Sequence, residues 1–179
     1  MSIVTPVQQP TVSTDRLDLR PLRKSDAGLI SHYSADVRVA SMTQAIPHPL
    51  PPGTTEAYIA RAMAPVRNEE VWAMDGTKIG SAEVMGLISL VRMDRAQSEV
   101  GYWVAPPFWN TGLASDAVKA LVEANPLGDA TMFASVFQDN QASARVLTNC
   151  GFAYIGDAEA FSVARNTCVP TWTYLKKLR

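Results

Sequence analysis

The stretch that most limits how this chain can fold is Ser98–Asp116, where an extended apolar run meets two consecutive prolines, then a loop of small residues, then a helix. From Val100 to Val104 strand-forming residues alternate, with Val100, Tyr102 and Val104 on one face and Glu99, Gly101 and Trp103 on the other. Pro106 and Pro107 remove two backbone donors and end the strand. Of the residues that follow, Asn110, Thr111, Gly112, Ala114 and Ser115 are small and only Leu113 is bulky, so backbone N–H groups can come close to a ligand just where the next helix adds its positive N-terminal end. A phosphate or pyrophosphate would be well held there. The same layout is also an ordinary helix start, and these residues alone leave both readings open.

The rest of the chain sets the frame for that stretch. At 179 residues, 47% of them hydrophobic, it reads as one domain with a substantial core, residues 14–179, behind a polar, Pro-containing arm at 1–13. Sixteen basic and seventeen acidic side chains leave a net charge of −1 with no basic run, so no nucleic-acid partner is expected (Lys+Arg 16, Asp+Glu 17). The longest apolar stretch, 84–91, is too short to span a bilayer and no cationic segment precedes Arg16, so a soluble, cytoplasmic protein without a membrane partner is expected. Cys150 and Cys168 have no metal-ligand spacing and no metal is expected; free thiols are the default in a reducing compartment, with a disulfide left open.

In chain order, Thr14–Leu22 alternates charged and apolar residues and predicts a first strand. Ser25 or Asp26 caps a helix to about Ser34, and a short helix covers Val37–Met42. Four prolines between Pro47 and Pro52 exclude regular structure, and a helix follows with Tyr58, Ile59, Ala62 and Met63 as its apolar stripe. His48, in that proline segment, reads as a surface or packed histidine or as a substrate contact. Strands are predicted at Glu70–Met74 and Val84–Met93, a helix at 112–124 with Leu113, Ala117, Leu121 and Ala124 inward, and a strand at Ala130–Phe137. Asp139 or Asn140 then caps a helix whose Ser143, Val146, Leu147 and Cys150 share a face, with Gly151 as the left-handed residue after its last turn.

Two of these segments, Glu99–Ala117 and Asn140–Phe152, resemble the acyl-CoA loop and the last motif of the GNAT superfamily of N-acetyltransferases, in particular the branch that includes the ribosomal-protein alanine acetyltransferases. The family's loop pattern is Arg or Gln, two residues, Gly, one residue, then Gly or Ala; here Gly112 and Ala114 match and Trp109 stands where Arg or Gln is usual. Thr14–Leu22 is similar to the opening strand of the same branch. The resemblance implies an α/β (α+β) GNAT fold, a mixed, mostly antiparallel sheet of six or seven strands with helices on both faces. It implies acetyl-CoA as cosubstrate, held by Trp103, Val104, Asn110, Thr111, Gly112, Leu113, Ala114, Ser115, Asn140 and Arg145. It also suggests a homodimer, and places acceptor contacts in Ala40–Gly53 and in a late loop, Asp157–Pro170.

Acyl transfer from a thioester to an amine needs a base for the amine, a donor to the carbonyl oxygen and an acid for the departing thiolate. The resemblance assigns the base to Glu99, acting through water, and the acid to Ser143, with Tyr102 and Tyr154 as second choices. A backbone N–H near Trp103 or Val104 polarises the carbonyl if the strand is splayed there. The function implied is transfer of acetyl from acetyl-CoA to a primary amine of a protein N-terminus or small compound by direct attack. The alternative is a non-catalytic CoA-binding regulator or structural subunit of the same fold. A nucleotide hydrolase or kinase is set aside because no Lys follows the glycine loop as a phosphate-binding G-K-[ST] motif requires. An α-amine is expected over a lysine, with Asp157 and Glu159 attracting it if they overhang the acceptor channel.

Overall fold

Alternating apolar residues in the middle of the chain build the sheet. In the computed structural model, which describes residues 9–179, its strands are β1 (Val12–Ser13), β2 (Asp18–Pro21), β3 (Glu69–Asp75), β4 (Gly86–Met93), β5 (Gln97–Val104), β6 (Thr131–Phe137), β7 (Ala153–Ser162) and β8 (Thr167–Lys177). Their order across the sheet is β1-β2-β3-β4-β5-β6-β8-β7. Among the described residues only β5 and β6 pair in parallel. The helices are α1 (Ala27–Ser34), α2 (Val37–Ala40), α3 (Thr54–Met63), α4 (Leu113–Ala124) and α5 (Gln141–Asn149).

The period of two along each strand sorts the core into two layers. Trp72, Met74, Ile88, Leu90 and Val100 face one way and pack against Leu113, Ala117 and Leu121 of α4 and Ala144 and Leu147 of α5. Val71, Ala73 and Leu87 face the other way, against Ile30 of α1 and Ile59 and Ala62 of α3, with Trp103 beside them. This is the mixed, mostly antiparallel α/β class with helices on both faces. Its described residues form eight strands where six or seven were expected.

The extra strands come from the two ends of the chain. Thr14 N–H donates to the Leu17 carbonyl at 2.8 Å, closing a turn that shortens the predicted 14–22 strand to β2 and pairs it with β1, which comes from the end of the expected arm. The proposed arm lies outside the described residues for positions 1–8. Its remainder is docked: Gln9 Nε2 donates to the Val71 carbonyl at 2.7 Å, and Trp72 Nε1 donates to the Pro10 carbonyl at 2.8 Å. At the other end, the expected late loop 157–170 is mostly strand, because β7 and β8 pair from Ala153↔Leu175 to Ser162↔Thr167.

Three local expectations change. Asp26 does not cap α1 with its side chain; it is buried and accepts the Arg20 guanidinium at 2.8 and 3.0 Å, because a desolvated carboxylate needs a charge partner. Met63 ends α3 exposed, and on α4 Ala120 is buried in place of Ala124. Gly151 takes the left-handed conformation expected after α5, with φ 85°. Cys150 is buried, Cys168 is exposed, and both are free thiols.

Candidate active site

Strand pairing opens the site. The parallel ladder between β5 and β6 covers only Gln97–Glu99 with Thr131–Phe133, whereas β4 follows β5 as far as Val104. From Val100 onward β5 and β6 therefore part, leaving a wedge between them. Ala105 N–H donates to the Met85 carbonyl at 2.9 Å. Because backbone groups alternate sides along a strand, the Val104 and Tyr102 N–H groups face the wedge while that of Trp103 faces β4. Of the two positions expected to offer a carbonyl donor, the geometry leaves Val104. Gly86, opposite Val104, admits no side chain: a Cβ there would lie 2.3 Å from the Trp103 carbonyl oxygen.

Beyond β5 the chain folds back on itself. Trp109 Nε1 donates to the Val104 carbonyl at 2.6 Å, and the Arg38 guanidinium lies 5.5 Å from the Trp109 ring centroid. Thr111 Oγ1 donates to the Phe108 carbonyl at 2.6 Å, and Arg16 Nη1 to the Thr111 carbonyl at 2.9 Å. Asn110 and Gly112 both take positive φ, 61° and 76°, which Asn tolerates and Gly adopts freely. No side chain caps the first turn of α4, so its N–H groups are free for an anion. The one acidic residue of that turn, Asp116, is paired with Arg16 at 2.6 Å.

A groove of about 730 Å³ runs from this loop to the start of α5. It brings together Trp103, Val104, Asn110, Thr111, Gly112, Leu113, Ala114 and Ser115 with Asn140, Ser143 and Arg145. The Leu113 side chain goes into the core, so only its backbone is available, and Asn140 Oδ1 is occupied as the α5 cap, accepting from Ser143 N–H at 3.3 Å. Uncapped N–H groups at one end and Val104, Phe108 and Val146 along the walls suit a polyanion joined to a long amide-and-alkyl arm. Those are the two halves of acetyl-CoA, and the residues present fit it.

Where the groove meets β5, two hydroxyls are joined. Ser143 Oγ donates to Tyr102 Oη at 2.8 Å, and Tyr102 Oη donates to the Ser143 carbonyl at 3.1 Å. Burial pushes the Tyr102 phenol well above its ordinary value, partly offset by the Ser143 hydroxyl, so it keeps its proton at neutral pH. The Ser143 hydroxyl, expected to donate to a sulfur, donates here to Tyr102 Oη. Tyr154 drops out as an acid: it is 55% exposed on β7, lines neither cavity and donates to Asp157 Oδ1 at 2.6 Å.

A second cavity of about 420 Å³ lies under α3 on the opposite face of β5. Register sets its floor, for Glu69 faces Val91 and Val91 faces Glu99, putting the two carboxylates in one row on one face. Two strand spacings separate them by about 10 Å. In the next row Ser89 faces Gly101, which is exposed and leaves the floor open between Glu99 and Trp103. Burial pushes the Glu99 carboxyl up, with no charged partner to offset it. The two cavities share Met42, Thr43, Tyr102 and Trp103, so they meet at the end of β5.

Of the two segments expected to supply acceptor contacts, 40–53 lines that cavity from Met42 to Pro47 and at Leu50, and 157–170 supplies none of the lining. Asp157 and Glu159 lie on the exposed edge strand β7, not on a loop over the channel, and His48 is exposed outside the lining. Glu69 was not anticipated, because its neighbour in the row is fixed by strand register, which no local pattern encodes. Among the described residues no group of three or more His, Cys, Asp or Glu is placed to hold a metal ion, and no helix is long and apolar enough to cross a membrane.

Comparison with known proteins meets this geometry from outside. The uncharacterized N-acetyltransferase YoaA of Bacillus subtilis (strain 168) is 27% identical over 178 residues, covering 92% of this chain and 95% of that protein. The crystal structure of the microcin C7 self-immunity acetyltransferase MccE, in complex with acetyl-CoA and AMP, superposes with a TM-score of 0.78 at 14% identity, over 92% of this chain and 93% of that one. The ribosomal L7/L12 alpha-N-protein acetyltransferase RimL, in complex with CoA, gives 0.76 at 15% identity, over 94% and 98%. Residues 16–153 match the model of the acetyltransferase (GNAT) domain, which spans the splayed strand, the α4 loop and the α5 helix, and the chain belongs to that family.

Proposed function

We propose that this acetyltransferase takes acetyl-CoA in the groove over β5 and α4 and a primary amine in the cavity under α3, and transfers the acetyl group by direct attack where the two meet. The observation that carries this reading is the shared wall at Tyr102 and Trp103, with a half-buried carboxylate on one side and a hydroxyl pair on the other. Bound acetyl-CoA supplies an activated acyl carbonyl. The N–H groups of the first turn of α4 hold the phosphates, and Val104 N–H donates to the carbonyl oxygen. Glu99 and Tyr102 are three residues apart, about 10 Å along the strand, and point to opposite faces. Glu99 therefore takes the amine proton through water over the bare Gly101. Tyr102 gives its proton to the departing thiolate and regains one from solvent water relayed through the Ser143 hydroxyl, which takes up a water proton as it passes its own on.

The acceptor we assign is an α-amine, as in a peptide or protein N-terminus or a small amino compound. Deprotonating a group of pKa near 8 at neutral pH costs about 1.4 kcal/mol, and a lysine near 10.4 about 4.6 kcal/mol. One carboxylate acting through water suits the smaller task, and the likeness to an alpha-N-protein acetyltransferase supports the same choice. The test is thiol release from acetyl-CoA across peptides, polyamines, amino acids and aminoglycosides, with mass-spectrometric mapping on a peptide carrying a free N-terminus and an internal lysine. Acetylation mainly at the lysine would overturn the assignment. CoA binding without turnover of any amine would select a non-catalytic CoA-binding protein instead.

A further inference from the structure

The turn between β7 and β8 reaches back over the place where the two cavities meet. Val163 N–H donates to the Gln44 carbonyl at 3.0 Å. Two residues on, Arg165 donates from Nε to the Ser41 carbonyl at 2.7 Å, and from Nη1 and Nη2 to the two carboxylate oxygens of Asp139 at 2.6 and 3.1 Å. Its guanidinium lies 5.1 Å from the Phe137 ring centroid, and Nη2 is 3.5 Å from Met42 Sδ. The turn itself is fixed, since Arg165 N–H donates to the buried Ser162 Oγ at 3.2 Å.

These partners belong to two remote segments, 41–44 and 137–139. Ser41 and Met42 begin the stretch that roofs both cavities, and Asp139 directly precedes Asn140, the cap of α5. A simple surface ion pair would do little here. A planar fork that is bidentate to one carboxylate and also bonded to a carbonyl fixes direction as well as distance, which an ammonium cannot do. Only 23% of the Arg165 side chain is exposed, and Asp139 is held below the usual carboxylate range first of all by its hydrogen bonds from Arg165.

We propose that Arg165 is a positioning residue for acyl transfer: it holds the Ser41–Gln44 roof against the start of α5, so that the acceptor cavity opens onto the groove at Tyr102 in one fixed geometry. It acts through Ser41, Met42 and Asp139 and does not line either cavity. Its effect on the reaction rests on the assignment of the cavity under α3 to the acceptor; its hold on the roof does not.

Hydrogen–deuterium exchange and steady-state kinetics on Arg165→Ala, Arg165→Lys and Asp139→Asn test this. Exchange should rise in 41–47 and 163–166 and stay unchanged in β4 and α4. The acceptor KM of Arg165→Ala should rise on the order of 10- to 100-fold, with the KM for acetyl-CoA within about twofold. Arg165→Lys should recover only part of the loss, because it restores the charge without the fork. Unchanged exchange in 41–47, a rise spread over the whole chain, or both KM values moving together would overturn the proposal. Exchange is read without substrates, so it decides the matter even if no acceptor is turned over. Failure of CoA to stabilise the wild-type protein would strike the acyl-transfer reading separately.

Discussion

Tyr102 and Ser143 exchange hydrogen bonds across the wedge: the serine hydroxyl donates to the phenol oxygen at 2.8 Å, and the phenol donates to the carbonyl of the same serine at 3.1 Å. Neither hydroxyl can release a proton to a sulfur without the other adjusting. The pair therefore acts as a unit, and its members should not contribute independently. Tyr102→Phe and Ser143→Ala should each lower kcat, on the order of 10²-fold for a lost acid, and the double variant should fall no further than the worse single one. CoA-induced stabilisation should survive in all three. Multiplicative losses in a double-mutant cycle would show two separate roles.

Glu99 should trade stability for activity. Burial raises its carboxyl, so the folded chain binds that proton more readily than the unfolded one. The stability this contributes is present below the unfolded value of about 4.3 and is lost as pH rises through the higher folded one. Glu99→Gln removes a charge that burial disfavours, so Tm should rise near pH 7.5 and not near pH 4. Activity should move the other way, falling on the order of 10²-fold, and the acidic limb of kcat/KM that belongs to the enzyme should vanish. Melting curves at the two pH values and a pH–rate profile check both halves. A variant with full activity at every pH would remove Glu99 as the base.

Gly112 should be needed for binding more than for folding. It sits at φ 76° and is exposed, and a Cβ there would come 3.4 Å from Arg16 Nη2. A branched residue strains the backbone by roughly 1–2 kcal/mol and stands over the uncapped N–H groups of α4. In the wild type, CoA at 100 times its dissociation constant adds about 2.7 kcal/mol of stability. Gly112→Val should fold and lose that shift, as thermal melts with and without CoA would show. A retained shift would move the phosphates elsewhere.

The lining of the groove over α4 and α5 was legible because it is set locally. Asn110, Gly112 and the small residues after them lie within one turn of each other, and the α5 cap is set by Asn140 three residues before Ser143. The cavity under α3 was legible only in part: Glu99 and the 40–53 segment were expected and line it, but the rest is assembled by register and by long-range pairs. Glu69 and Glu99 share a row only through β4, and Arg165 reaches partners 124 and 26 residues away. The β8 strand was within reach: Thr171, Trp172, Thr173, Tyr174 and Leu175 are β-branched, aromatic or aliphatic. Pro170 and the expectation of a loop masked it, and Pro170 is tolerated where β8 pairs with the edge strand β7.

The last prediction concerns charge at the anion site. Arg16 Nε and Nη2 hold Asp116 Oδ2 at 2.8 and 2.6 Å, and Nη1 holds the Thr111 carbonyl, so a residue from the β1–β2 turn neutralises the single acid in the first turn of α4. Both side chains are partly exposed, at 42% and 34%, and such pairs contribute little to stability. Arg16→Ala should therefore change Tm only slightly. Near bound phosphates, however, it leaves a carboxylate unneutralised and frees the loop carbonyl, so CoA affinity should fall by about tenfold and the loss should shrink as salt is raised. Adding Asp116→Asn removes the stranded charge and should restore most of the affinity. Calorimetric titration of CoA into wild type, Arg16→Ala and the double variant separates the cases: a double variant as weak as Arg16→Ala would show that the hydrogen bond to Thr111, and not the charge, is what Arg16 provides.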